Sequence, residues 1–313
     1  MLHEVFYWVL NMSVLGTFYG LLLYALRFIK GFPRFGSYTL WGVVLIRLIC
    51  PVGFTSRYSL LSLVSRAFSG IIVKTVTVYE NAGREALLPE LSLSNTVQAA
   101  AEYRPITYRT NLLESFFRIG AVIWIIVAAA AVFTAVILYL LSASELKKAE
   151  HIRENIYQGS MVDTPTVVGM LHPRIILPVR ENPEYLEQVL LHERVHIRRR
   201  DNIWRMLAIF TACLHWFNPF VWFFLKSFMN DCELACDAKA VKHMKGEERK
   251  AYAYALLTLA SKEKTVFSTA FGSSRVKVRI ESVLSYRKLT AFSTVCFILM
   301  TVIIAFVLLT NKV

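Results

Sequence analysis

The stretch LLHERVHIRRRD, residues 190–201, sets two histidines four apart with a glutamate directly after the first. On a helix, positions i and i+4 lie on one face, a turn apart. His192 and His196 therefore point the same way, and both imidazoles can reach one Zn2+ at about 2.0–2.1 Å. Glu193 falls on the neighbouring flank, where it can act on a water beside the metal without ligating it. Two imidazoles, one general base and one open position make up the HExxH logic of zinc hydrolases. The same letters arise by chance, and a histidine pair on an Arg-rich helix can be a solvated face. A third ligand decides between the two.

A catalytic zinc takes a third protein ligand, usually histidine or a carboxylate. MNDCELACDA, residues 229–238, supplies Glu233 and Asp237, again four apart on an expected helix. Glu233 can complete the ligand set. Asp237, one turn on, can receive the free ring N–H of a ligating histidine, which fixes the imidazole's tautomer. Standing alone, ExxxD is common on exposed helices. Cys232 and Cys236 flank these acids, and two Cys with two His would form a closed structural site. Glu193 and Glu233 would then have no task, and small helix-packing residues are the other reading of the two thiols.

The chain around these motifs is apolar. Of its 313 residues 56% are hydrophobic and 18% charged, with a mean hydropathy of +0.48. That balance argues against an ordinary soluble domain and puts membrane spans first. Four stretches are candidates: Val5 to Leu26, Tyr38 to Phe54, Ile119 to Leu141 and Leu289 to Leu309, against the ~20 residues a bilayer requires. The second is interrupted by Arg47 and closed by Pro51 and Gly53. His3 and Glu4 precede the first span while Arg27, Lys30 and Arg34 follow it, the reverse of a secretory signal. An uncleaved anchor with its N-terminus outside is expected, because Lys and Arg near span ends are retained in the cytoplasm.

By alternation, residues 1–54 hold two spans and a short basic cytoplasmic loop, and 55–118 form an extracellular loop. Residues 119–141 form the third span, 142–288 a cytoplasmic domain, and 289–313 the fourth span with a short outer tail. The net charge of +13 needs no nucleic acid, since an anionic membrane surface accounts for it. None of the five cysteines falls in the outer loop, so no extracellular disulfide framework exists.

Within 142–288, Ser144 to Tyr157 reads as a charged helix continuing from the third span. TPTVVGMLHPRIILP, residues 164–178, reads as two short strands around a Gly/His-Pro turn. Residues 184–200 form a helix with Asn182 as N-cap and Pro183 at its first position. Further helices are expected over 202–214, 226–245 and 247–262, and the Ser/Thr/Gly-rich stretch 265–274 reads as a flexible loop. Met206 to Phe228 is apolar enough for a fifth span. A crossing there would put the histidines and Glu233 on opposite sides, where one metal could not bind all three. The segment is expected to re-enter or lie along the interface with its bend at Pro219, or to be a buried core helix.

HERVHIRRRD, HWFNPFVW (215–222) and DCELACDA (231–238) resemble the BlaR/MecR-type membrane metallopeptidases, gluzincins that transduce β-lactam or envelope signals. The resemblance extends to PTVVGMLHPRIILP and, more loosely, to the four-span layout. It implies His192, His196 and Glu233 as zinc ligands, Glu193 as base, and supporting roles for Asp237, at the ExxCD position, and Asp201. It also implies an edge strand that holds substrate by strand addition, and self-cleavage within the cytoplasmic domain. Ser268, Thr269, Ala270, Phe271, Ser274 and Arg275 mark the candidate self-cleavage loop. Penicillin-recognising members continue into an extracellular sensor with a serine acylation site. Here the sequence stops at Val313, so sensing is expected from the 55–118 loop, the spans or a partner protein; the partners considered are a homodimer mate and a separate sensor.

The expectation is a mainly α membrane protein of four transmembrane helices with an inserted cytoplasmic α+β gluzincin-like zinc metallopeptidase domain. Its substrate would be a cytoplasmic regulator, such as a repressor, or the chain itself. A zinc-stabilised receptor or scaffold that signals by conformation is one alternative, and a housekeeping membrane protease another. Arg275, His243, His215 and Tyr252 are oxyanion candidates by residue type alone.

Overall fold

The computed structural model describes residues 2–26, 34–50, 111–145, 148–160, 162, 164–179, 185–262, 268–288 and 290–309. Residues 55–110 of the expected outer loop, Arg27 and Lys30 of the basic loop, and the Asn182-Pro183 cap lie outside the described residues. Three helices come first: α1 (Leu2–Leu26), α2 (Arg34–Ile49) and α3 (Asn111–Glu145). Two segments are long and apolar enough to cross a bilayer by length and composition, Leu2–Leu26 and Ser115–Ser144. Gly36–Ile49 and Phe292–Val307 are apolar but shorter, so the structure supports two of the four expected spans on this criterion.

Four strands follow: β1 (Glu150–Arg153), β2 (Ile156–Gly159), β3 (Thr166–Val168) and β4 (Arg174–Pro178). They form one sheet in the order β1-β2-β4-β3, with β2 and β4 parallel and the outer pairs antiparallel. The expected charged helix over 144–157 is therefore corrected. The helix stops at Glu145, and β1 turns into β2 through Glu154, whose φ of 48° no helix accommodates. Ile156 then points into the core and pairs β4. Gly169 makes the turn after β3 at φ 105°, a conformation open to glycine and closed to most side chains.

The remaining helices are α4 (Leu186–Arg199), α5 (Asp201–Leu214), α6 (Pro219–Ala240), α7 (Gly246–Lys262), α8 (Ser268–Leu284) and α9 (Ala291–Leu309). One face of α4 packs on the sheet, where Leu190 joins Ile156, Ile175 and Leu177. On another side Val195 joins Cys236 of α6, Tyr252 and Leu256 of α7, and Val283 of α8. That last contact corrects the expected loop over 268–274, while 265–267 lie outside the described residues. Val283 and Ile280, three apart, anchor α8 in the core, and the helix runs back to Ser268. Ser268, Thr269, Ala270, Phe271, Ser274 and Arg275 are thus helical, whereas an extended substrate would require that turn to unwind.

The apolar 206–228 stretch is neither a fifth crossing nor a single core helix. It is the larger part of a hairpin, α5 and α6, that reverses at His215–Asn218. Asn218 caps α6, its Oδ1 accepting from Phe220 N at 3.0 Å, and Pro219 sits at the first position, where the missing N–H has no partner to lose. The tip is bonded on three sides. Asn218 Nδ2 donates to Ser13 Oγ and Thr17 Oγ1 of α1, both at 2.7 Å. His215 Nε2 donates to Leu48 O of α2 at 3.0 Å, and Trp124 Nε1 of α3 donates to Leu214 O at 2.8 Å. At the other end of α2, Tyr38 stacks on Phe228 of α6 at 5.6 Å. The hairpin thus runs alongside α2 and returns to the side it left.

Close approach of α1 makes this packing work. Gly16 and Gly20 form a GxxxG pair; a Cβ at Gly16 would overlap Leu48 of α2, and one at Gly20 the Phe224 ring of α6. Gly20→Ala should lower stability by about 1–3 kcal/mol through overpacking. Denaturant titration of the purified chain in micelles measures this.

Candidate metal centre

Amphipathicity sets up the site. On α4, His192 and His196 share the buried face with Val189 and Val195, while Arg194 and Arg198 face solvent. Their Nε2 atoms lie 3.1 Å apart. Glu233 of α6 joins them, with Oε2 3.4 Å from His192 Nε2 and Oε1 3.5 Å from His196 Nε2. Ligands about 2.0–2.1 Å from a tetrahedral zinc lie about 3.3–3.4 Å from one another, so the three spacings fit one such ion.

The outer nitrogens of the two rings explain why the inner ones converge. His196 Nδ1 donates to Asp201 Oδ2 at 2.6 Å. His192 Nδ1 donates to the Tyr252 hydroxyl at 2.7 Å, which in turn donates to Asp237 Oδ1 at 2.8 Å. Asp237 also lies 3.2 Å from His192 Nδ1, but the tyrosine makes the shorter bond. With both Nδ1 protonated, a neutral ring offers its lone pair at Nε2. Two such lone pairs facing each other across 3.1 Å suit a shared cation, a proton or a metal ion, and with the Glu233 carboxylate beside them the donor set is one that a metal can use.

Two arginines fix the acids. Arg205 Nη2 meets Glu233 Oε1 at 2.5 Å, and Arg279 Nη1 lies 3.2 Å from Glu233 Oε2. Arg279 also grips Asp237 with two parallel bonds, of 2.7 and 2.9 Å. Burial pushes the Glu233 carboxyl up, yet the Arg279 charge and the histidine bonds outweigh it and hold it well below the usual range. Asp237 behaves alike: burial opposes ionisation, Arg279 and His192 favour it, and the result is about 2. Glu193 differs. Burial raises its carboxyl and the nearby histidines only partly offset that, leaving a stronger base than an ordinary glutamate.

Cys236 is buried beside His192, its Sγ 3.4 Å from His192 O as donor and 3.6 Å from Nδ1. It forms with His192 and His196 one close group of potential ligands, and Cys232 with His196 and Asp201 another. Cys236, however, approaches His192 from the Nδ1 side, which Tyr252 and Asp237 already occupy. The Nε2 side, with Glu233, is where donors converge.

A cleft of about 570 Å³ opens on these groups. Thr166 and Val167 of the edge strand β3 line one wall, Glu193 and His196 the floor, and Val276 and Arg279 of α8 the opposite side. Arg275 also lines it. His215 is bonded at the hairpin tip, the far end of α5 from Asp201, and His243 faces a separate groove behind α4. The Tyr252 hydroxyl is spent behind His192. Of the oxyanion candidates, Tyr252 and Arg275 border the cleft, and the Tyr252 hydroxyl is bonded to His192 and Asp237. Arg205 and Arg279 carry no sequence signal of their own. The one available hint is that Arg275 and Arg279 repeat the four-residue spacing of Glu233 and Asp237 on the facing helix.

Residues 7–283 match the family described as BlaR1 peptidase M56, which is most of the chain. Among curated relatives, the methicillin resistance mecR1 proteins of Staphylococcus aureus and Staphylococcus epidermidis are 30% identical over 106 residues, 33% of this chain and 18% of theirs. The regulatory protein BlaR1 of Bacillus licheniformis is 27% identical over 146 residues, 44% of this chain and 24% of that protein. The matches thus span no more than about a quarter of those relatives' length.

Asp237 is fully buried, so removing its guanidinium partner in Arg279→Met should cost about 3–5 kcal/mol. The sign of its pH dependence follows from a carboxyl lowered from 3.8 to about 2: the stabilisation is complete above pH 3.8 and lost as pH falls toward 2. The stability gap between wild type and Arg279→Met should therefore be widest near neutrality and narrow below pH 4. Denaturant midpoints across pH test it.

Proposed function

The chain belongs to the BlaR1 peptidase M56 family, and we propose that it is an integral-membrane zinc endopeptidase that cuts a cytoplasmic regulator, such as a repressor, in response to an envelope or antibiotic signal. The observation that carries this reading is the convergence of His192 Nε2, His196 Nε2 and Glu233 at spacings that suit one tetrahedral ion, with Glu193 on the same cleft. The three would be the metal ligands. Lewis acidity toward the scissile carbonyl and a lowered water pKa are what Zn2+ supplies when bound. Glu193, with its raised basicity, takes the proton of the attacking water and hands it to the departing amide nitrogen. Asp201, and Tyr252 with Asp237 behind it, hold the two imidazoles in the ligating tautomer.

Substrate would lie between β3 and α8. Among the described residues β3 ends the sheet and pairs only β4, so its outer edge can take an extended peptide by strand addition. A membrane setting is supported by helices that are apolar on every face yet exposed: Ile126 and Phe133 on α3 are 61% and 67% accessible, and Phe292 on α9 is 79%. We take α1, α2, α3 and α9 as four crossings. On this reading the basic residues after α1 put 142–288, with the protease site, in the cytoplasm. The relatives' names, which speak of regulation and methicillin resistance, support the signalling role.

Glu193→Gln separates a catalytic centre from a zinc-stabilised scaffold. Cleavage of the regulator in membranes should fall about 100- to 10,000-fold, with zinc content by metal analysis unchanged. Signalling that survives the loss of cleavage would favour the scaffold.

A further inference from the structure

We propose that Tyr38, on the apolar helix α2, is a positioning residue for the metal centre, holding His196 through Asp201; this inference rests on the zinc-protease reading above. Asp201 divides its two oxygens. Oδ2 takes the His196 Nδ1 proton at 2.6 Å, and Oδ1 accepts from the Tyr38 hydroxyl at 2.7 Å. Asp201 is fully buried, so water cannot replace a lost donor. The remaining donor, Arg199 Nε, stands at 3.3 Å.

The hydroxyl itself is placed with care. The Arg199 guanidinium lies over the Tyr38 ring at 4.2 Å, and Phe228 of α6 stacks on it within 18° of parallel. One α2 side chain thus meets α4, α5 and α6 at once, and its only polar atom reaches the carboxylate that orients a ligand. Without that bond, Asp201 keeps one long contact to Oδ1, its carboxylate can turn, and the ring of His196 loses its fixed bearing. Ligand orientation by such outer partners is what tunes a metal site. The partner here comes from a membrane helix more than 140 residues before the HExxH motif, so the ligand set of the cytoplasmic domain is completed from outside that domain.

Trp41, one turn along α2, provides the comparison. Its indole donates to Asp231 Oδ2 at 2.8 Å and packs on Phe224 at 5.6 Å. It fastens α2 to α6 as Tyr38 does, but its indole bonds Asp231, whereas the Tyr38 hydroxyl bonds Asp201, the carboxylate on His196.

The test uses the chain in detergent micelles, with the zinc dissociation constant measured by chelator competition and the visible spectrum of the Co2+ form. Loss of a direct outer partner costs about 10- to 100-fold in affinity, which is expected for Asp201→Asn; Tyr38→Phe, one bond further out, should cost about three- to tenfold. Tyr38→Phe should also alter the Co2+ bands. Trp41→Phe should lower Tm while leaving both metal readouts near wild type. A Tyr38→Phe chain with wild-type affinity and spectrum overturns the proposal, as does an equal loss in Trp41→Phe, which would make the effect one of general packing. If Tyr38→Phe does not fold, 3-fluorotyrosine at position 38 keeps the shape and changes the strength of the bond; an unaltered spectrum and affinity then overturn it. A wild-type chain that takes up no Zn2+ overturns the zinc reading itself, and this inference with it.

Discussion

His192, His196 and Glu233 meet at one site although an apolar stretch of two dozen residues lies between the histidines and the glutamate; on the proposed reading, all three must then lie on one side of a membrane. The chain meets that constraint by folding the stretch back on itself at Asn218-Pro219. The reversal brings polar groups with it, because a turn exposes backbone and cap atoms where a continuous helix would hide them. His215 and Asn218 are nearly fully buried, and each is bonded to α1 or α2. The GxxxG face of α1 is therefore part of what keeps the hairpin in place, since only glycine lets Leu48 and Phe224 come that close. Packing among apolar helices and geometry at the metal centre are two ends of one hairpin.

At the candidate metal centre, the protein's own bonds fix the side chains. Each imidazole is tied at Nδ1, Asp201, Glu233 and Asp237 are each tied to a guanidinium or a phenol, and Glu233 is held by two arginines at once. A carboxylate has room for about four hydrogen bonds, so Glu233 can keep both arginines and still present lone pairs to an ion. Arg279 makes the arrangement tighter still, its Nη2 standing 3.4 Å from His192 Nε2. A guanidinium so near a ligand nitrogen stands in for positive charge there. It would have to give way slightly to an ion, and Asp237, which holds it by two bonds, sets how far it can move.

The sequence carried the part of this site that follows helical spacing. His192 with His196 and Glu233 with Asp237 both fall at i and i+4, and an apolar helix cannot hide such pairs in its pattern. Turn chemistry carried the hairpin of strands around Gly169 and the bend at Pro219. What was illegible depends on long-range contact. Arg205, Arg279 and Tyr38 are ordinary letters in a basic, aromatic chain until α5, α8 and α2 bring them to the acids. Two segments misled through composition. Charge between Ser144 and Tyr157 looked helical, yet Glu154 turns the chain with a left-handed φ and Ile156 pairs a strand. Ser and Gly between 268 and 274 looked like a loop, yet Ile280 and Val283 dock the helix that includes them.

The division of α6 couples the candidate metal centre to the apolar helices. Its first half, Val221 to Phe228, packs on α1 and α2; its second half carries Glu233 and Asp237. Glu233 lies nine positions after Phe224, about 13.5 Å along continuous helix at 1.5 Å per residue, with no proline or glycine to absorb strain. A rigid rod moves as a whole, so a displacement at Phe224 arrives at Glu233 nearly undiminished. Functional constellations tolerate only about 0.5 Å of misplacement. On this reading a sub-ångström shift of the α1 and α2 backbones against the hairpin is large enough to move Glu233 relative to the two histidines.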